Sequence, residues 1–371
     1  MKEEKNKVLS LIERVHNSRV TYNKDDIGFG FDIYCQKLKF HYDEAYALWG
    51  LGYLNLYSLE NNIFDVSIFD HIVRYFLNNK RYDGSFGLPW DWQGQRKEEG
   101  YLITTSFVAL FLQKYNSIFN DNRVNALLTK IEDYMFSLQE NRNGHIYLRY
   151  SKHMNDDVLN AYAVAMLFLI INDYYENRRL VEQLLDSIQE GQDKTGGFLY
   201  MINPTRKVDI PDNYHQCFII NSLIGIRDFL LKHKLFDQKL NEIIDKGITY
   251  FINNFFDKDL YLRRHAKEPL IGKNSFHYRK AMLLRTIAKL KRKLLCQPPS
   301  RSRPNFYDYG QTLALLSSDL YRYSMFLPSV IDQSESDLNF IKEDNFYIRD
   351  MGHFFYGLIE VLTKLNKWEN I

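Results

Sequence analysis

The sequence predicts an all-α fold, a single (α/α)6 toroid of six helical hairpins over residues 1–371. Three observations predict it. A short turn signature recurs along the chain, the intervals between copies each hold two helices and a loop, and the helices alternate in character. The turn joins a polar stretch, a turn residue and an aromatic. Its copies are Asp25-Asp26-Ile27-Gly28-Phe29, Asp83-Gly84-Ser85-Phe86, Asn143-Gly144-His145-Ile146-Tyr147 and Thr195-Gly196-Gly197-Phe198. Asp259-Leu260-Tyr261 and Asn345-Phe346-Tyr347 are weaker copies, because they lack glycine.

The first member of each helix pair is apolar on most sides, as expected of a buried helix. These members are expected at 43–59, 103–116, 156–174, 213–232, 274–292 and 351–366. Phe107, Leu110 and Phe111 show the helical spacing, as do Ala161, Ala165 and Phe168. The second member keeps one apolar face, as in Val124, Leu127, Leu128 and Ile131 with Arg123, Lys130 and Glu132 between them. These are expected at 4–16, 62–79, 122–139, 177–190, 236–256 and 306–323. Apolar members would line a ring and one-faced members would cover it. An open helical solenoid is the alternative; its loops would repeat one short period, whereas here they differ in length and content.

Composition sets few further limits. The chain is 45% hydrophobic and 25% charged, with 27 Tyr and 26 Phe, enough for a large core and a ring-stacking cleft. A formal charge of +2 gives no field for nucleic acid. Cys35, Cys217 and Cys296 lack metal-ligand spacing and fit a reducing compartment. The N-terminal stretch has no signal-like apolar region and no apolar run of about 18 residues occurs, so the cytoplasm is the expected location. No P-loop, Gly-x-Gly-x-x-Gly, Gly-x-Ser-x-Gly or zinc-finger spacing is present, and no cofactor or metal is expected. Residues 289–303 form the one basic run. It is a solvated helix end and loop, or a peripheral contact for an anionic lipid or polymer.

Parallel inner helices place their N-termini on one rim, so the residues opening those helices should converge. Leu88-Pro89-Trp90-Asp91-Trp92-Gln93 precedes the second inner helix. Its indoles can stack on a sugar ring while Asp91 and Gln93 bind hydroxyls; alternatively both Trp pack in the core and Asp91 caps a turn. Tyr150 precedes the third. Asp212-Asn213-Tyr214-His215 opens the fourth, with Asp212 or Asn213 as N-cap and His215 in the first turn, where the helix end favours a neutral imidazole. His277 opens the fifth and Arg349 the sixth; an arginine fork suits a carboxylate or phosphate, or a surface ion pair. His353 is read as structural. Asp91 and His215, with Asp212, are the expected acid–base groups. Trp90, Trp92, Gln93, Tyr150, Asn213, His277 and Arg349 are the expected substrate-binding groups, for an oligosaccharide or polysaccharide.

At these loops the sequence resembles a family of bacterial α/α-toroid proteins found with cell-surface polysaccharide biosynthesis, related in fold to terpenoid cyclases and prenyltransferases. The family's Pro-Phe-Asp-Trp-Gln loop is similar to Pro89-Trp90-Asp91-Trp92-Gln93, and its Thr-Thr-x-Phe-Val helix to Thr104-Thr105-Ser106-Phe107-Val108. Its Asp-Asn-Phe-His resembles Asp212-Asn213-Tyr214-His215, and its final aromatic-x-Arg resembles Tyr347-Ile348-Arg349. Ser275 stands where the family has Asp before Ile-His. The resemblance implies a carbohydrate-active protein in assembly or modification of a surface polysaccharide. An isoprenoid-handling toroid and a non-catalytic scaffold are the alternatives. The Asp-x-Asp-Asp acid motif of the cyclases is missing, which counts against terpene cyclisation.

Overall fold

The structure is a computed structural model that describes residues 2–23, 26–59, 66–91, 94, 96–142, 144–202, 208–209, 211–267, 270–271 and 303–368. Thirteen α-helices follow one another within these residues: α1 (Lys2–Asn23), α2 (Asp43–Leu59), α3 (Ser67–Asn79), α4 (Leu102–Phe119), α5 (Asn122–Ser137), α6 (Leu159–Asn172), α7 (Tyr174–Glu190), α8 (Asn213–Lys232), α9 (Gln238–Phe255), α10 (Phe306–Ser317), α11 (Leu320–Tyr323), α12 (Leu327–Leu338) and α13 (Ile348–Trp368). Helices α2, α4, α6, α8, α10 and α13 pack each on the next, and α13 closes on α2. Around them α3, α5, α7, α9 and α12 each cover the inner helix of their own hairpin, and α1 covers α13. The sixth hairpin is therefore made by the first and last described helices.

Burial follows the sequence pattern. Every residue of α2 from Asp43 to Leu56 is buried, whereas α5 buries only Val124, Leu127, Leu128, Ile131, Tyr134 and Met135. Aspartates open three outer helices: Asp121 accepts the Arg123 N–H, Asp173 those of Tyr175 and Glu176, and Asp237 that of Leu240. One assignment is corrected. The sequence places 306–323 in the outer layer, but α10 lies inside, and α12 covers it. The predicted inner helix at 274–292 lies outside the described residues. Among the described residues no helix is long and apolar enough to cross a membrane.

All six turn aromatics (Phe29, Phe86, Tyr147, Phe198, Tyr261 and Tyr347) fall where an outer helix leads into an inner one, which puts them at the rim holding the inner N-termini. Among the described residues that rim also carries three two-stranded antiparallel sheets. They are β1 (Phe29–Asp32) with β2 (Cys35–His41), β3 (Gln139–Arg142) with β4 (His145–Leu148), and β5 (Val208–Asp209) with β6 (Leu270–Ile271). A repeated clamp fixes the turns. Thr105 Oγ1 receives the Phe86 N–H at 3.0 Å and donates to the Phe86 carbonyl at 3.2 Å. Gln216 does the same for Phe198, at 2.8 and 2.6 Å. Phe31 bridges to Tyr347, joining the first connection to the last.

Glycine is required where this turn meets the next outer helix. Gly196 has φ +99°, and a Cβ there would lie 2.2 Å from the Lys246 carbonyl oxygen. Gly196→Ala is expected to destabilise the fold by roughly 1–3 kcal/mol from the backbone conformation alone, with the collision adding to that. Urea denaturation checks this; an unchanged midpoint would refute the packing described. The fifth copy, without glycine, still adopts the same left-handed turn, with Leu260 at φ +58°.

Candidate functional site

The N-terminal ends of all six inner helices line one cavity of about 170 Å³. Glu44 comes from α2, Ile103 and Thr104 from α4, Asn160 from α6, Tyr214 and His215 from α8, Tyr307 from α10, and Arg349, Asp350 and His353 from α13. The rim loops add Tyr34, Leu88, Trp90, Tyr150, Tyr200, Asp212 and Arg264.

Asp212 and His215 form a pair at the start of α8. Asp212 is the N-cap, and its Oδ1 accepts the His215 N–H at 2.9 Å. The same carboxylate holds the ring, with Nδ1 2.8 Å from Oδ1 and 2.7 Å from Oδ2. Burial opposes ionisation of Asp212, but the His215 ring and N–H and the nearby His265 hold its carboxyl below the ordinary range. An ionised carboxylate only accepts, so Nδ1 carries the hydrogen and Nε2 of a neutral ring keeps its lone pair. Nε2 has no hydrogen-bond partner among the described residues. Tyr200 and Tyr214 fix the ring edge-on, with centroids 4.7 and 5.1 Å away.

The opposite wall is an ion network across the ring seam. Arg349 Nε donates to Asp32 Oδ2 at 2.8 Å and Nη1 to Glu44 Oε2 at 3.1 Å. Glu44 Oε1 also lies 3.1 Å from His353 Nε2. Asp32 is fully buried and Glu44 nearly so. Burial alone would raise the Glu44 carboxyl, but the Arg349 charge and the His353 hydrogen bond hold it down at about 2. Two further buried carboxyls make no ion pair among the described residues. Burial pushes Asp350 well above the carboxylate range, helped by the Asp32 charge, and does the same to Asp308.

The expected residues separate as follows. Trp90, Tyr150, Asp212, His215 and Arg349 share the cavity. Trp90 is half-buried, against Phe40 at 5.8 Å and Tyr42 at 5.0 Å. Asn213 is buried behind the wall, exchanging hydrogen bonds with Thr312. Asp91 is not in the cavity: it is exposed, and its carboxylate accepts the Lys97 N–H at 2.8 Å, as a turn cap does. Trp92, Gln93 and His277 lie outside the described residues, as do 289–302. His353, read as structural, is on the cavity floor among Phe107, Tyr214 and Phe218. Among the described residues no three His, Cys, Asp or Glu side chains are grouped to hold a metal ion.

No protein-family model and no curated protein matches the chain. Solved structures do match. An unsaturated glucuronyl hydrolase from Bacillus sp. GL1 is 12% identical with a TM-score of 0.63, covering 98% of this chain and 97% of that one. A sugar epimerase from a ruminal bacterium is 12% identical with a TM-score of 0.62, covering 95% and 98%. A glycosyl hydrolase of family 88 from Bacteroides vulgatus is 11% identical with a TM-score of 0.59, covering 97% and 99%. The chain is an α/α toroid. Its structural neighbours are carbohydrate-active enzymes of that fold.

Proposed function

We propose that this toroid is a carbohydrate-active enzyme that carries out acid–base chemistry on a glycan, in the assembly or modification of a surface polysaccharide. The observation that carries the reading is the Asp212–His215 pair, with its free Nε2, in a rim cavity walled by Trp90, Tyr150, Tyr200 and Tyr214. His215 serves as the base and Asp212 orients it and balances the imidazolium that forms. Asp350 lines the same cavity, its carboxyl pushed up by burial, and serves as proton donor in place of the exposed Asp91. Aromatic faces beside these groups suit a pyranose ring, which is apolar on its faces and polar at its edge. The glycan-active neighbours support the substrate class. The Pro89–Gln93 and Thr104–Val108 motifs support the polysaccharide context.

Two measurements test this. Incubation with oligosaccharides drawn from bacterial surface polymers, read by mass spectrometry and NMR, should reveal conversion of at least one. Trp90→Ala should weaken binding of that oligosaccharide by about 1–3 kcal/mol, on the order of the lost apolar contact, with little change in melting temperature. A large loss of stability, with no sugar bound by the parent protein, would reject the stacking platform.

A further inference from the structure

The cavity holds two arginines, and their surroundings differ. Arg349 is spent on the protein, because Asp32 and Glu44 take its fork. Arg264 is not. Its Nη2 donates to the Tyr307 hydroxyl at 2.8 Å, a neutral partner, and its Nε is buried with no acceptor. Among the described residues no carboxylate pairs with it. Burial works against its charge, yet nearby phenols and carboxyls keep it protonated. The neighbouring Asp308 makes no ion pair with it: its Oδ2 accepts the Asn305 N–H at 2.8 Å in a helix cap.

The backbone holds Arg264 in place. Its carbonyl accepts the Asn213 N–H at 2.8 Å, and the adjoining His265 bridges to Asp212. The guanidinium is thereby tied to the same turn that builds the Asp212–His215 pair. A partly buried guanidinium with no carboxylate in direct contact and an unmatched Nε has room for an anionic partner in the cavity it lines. The fork suits a planar carboxylate or a phosphate.

Resting on the proposed glycan chemistry, we infer that Arg264 is the subsite for an anionic group of the substrate, so that the glycan handled is acidic: a uronic-acid-type sugar or a glycosyl phosphate. Arg349, the arginine that sequence alone nominates for this role, instead positions Glu44 and Asp32.

Calorimetric titration of the full chain with three matched ligand sets tests the inference. The sets are neutral hexose oligosaccharides, their uronic-acid counterparts and glycosyl phosphates. The parent protein should bind at least one anionic set tenfold or more tighter than the neutral set. R264Q should erase that preference while still binding the neutral set, and R264K should keep part of it, retaining charge but losing the fork. Preference for the uronic acids alone or the phosphates alone identifies the source. Equal binding of neutral and anionic sets by the parent overturns the inference while leaving glycan binding intact. A preference that survives R264Q also overturns it. Absence of binding by all three sets sinks the glycan reading and this inference with it.

Discussion

Arg349→Gln is expected to destabilise the toroid by about 3–5 kcal/mol, the range for stranding a buried charge. The substitution leaves Asp32 and Glu44 without their cation, and these carboxylates are 0% and 5% exposed. The pH dependence should change sign as well. In the parent, Glu44 is held at about 2, below its ordinary 4.5. It therefore contributes stability above roughly pH 4.5 that is lost as pH falls toward 2. Without Arg349, burial dominates and raises the folded-state pKa above the unfolded one. The stability contribution is then present below about 4.5 and lost as pH rises through the new value. Urea titrations from pH 3 to 8 read both effects. Adding Glu44→Gln to Arg349→Gln should restore part of the loss, because one stranded charge is removed. An Arg349→Gln protein as stable as the parent, with an unchanged pH slope, would refute the network as a structural element.

His215→Ala is expected to lower turnover of the glycan substrate by about 10²–10⁴-fold, the usual span for a general base, with melting temperature nearly unchanged. The imidazole is a quarter exposed and borders the cavity, so little packing is lost. Asp212→Asn should also cut turnover, since an amide no longer balances an imidazolium and can turn its NH2 toward Nδ1, favouring the wrong tautomer. It should cost some stability too, on the order of 1 kcal/mol, as an altered N-cap. Full turnover in His215→Ala would place the chemistry on another group and remove the basis for the proposed mechanism.

Much of this was legible in the sequence, and the failures have physical causes. The turn aromatics mark the rim because each lies on the connection from an outer helix to an inner one, and Phe86 and Phe198 are fully buried there. The fifth copy escapes the glycine rule because Leu260 occupies the left-handed region without it. The rim argument finds Asp212, His215, Trp90, Tyr150 and Arg349. Applied equally to the first inner helix, it would also have found Glu44 at the opening of α2. His353 shares the face of Arg349 one helical turn on, which was a readable signal. Helix α10 was misread for a different reason. Asp308, Gln311, Thr312 and Ser317 resemble a solvated face, yet all are buried. Asp308 caps its own helix through Oδ2, Gln311 meets Asn221 and His353, and Thr312 meets Asn213, so the interior takes up most of these polar atoms itself. Asp91 was misplaced because a carboxylate between two tryptophans looks the same in sequence whether it lines a cleft or caps the loop beside it.

The Phe31–Tyr347 bridge and the Arg349 ion pairs join groups more than 300 positions apart in the chain. A ribosome-bound chain with five hairpins already made still lacks this wall of the pocket. Asp32 and Glu44 wait for a cation that emerges with the last helix. This wall of the pocket is thus completed only once α13 has been made, after every other described helix. The same geometry makes the pocket's charge balance depend on the α13–α2 contact, since separating these helices parts Arg349 from Glu44.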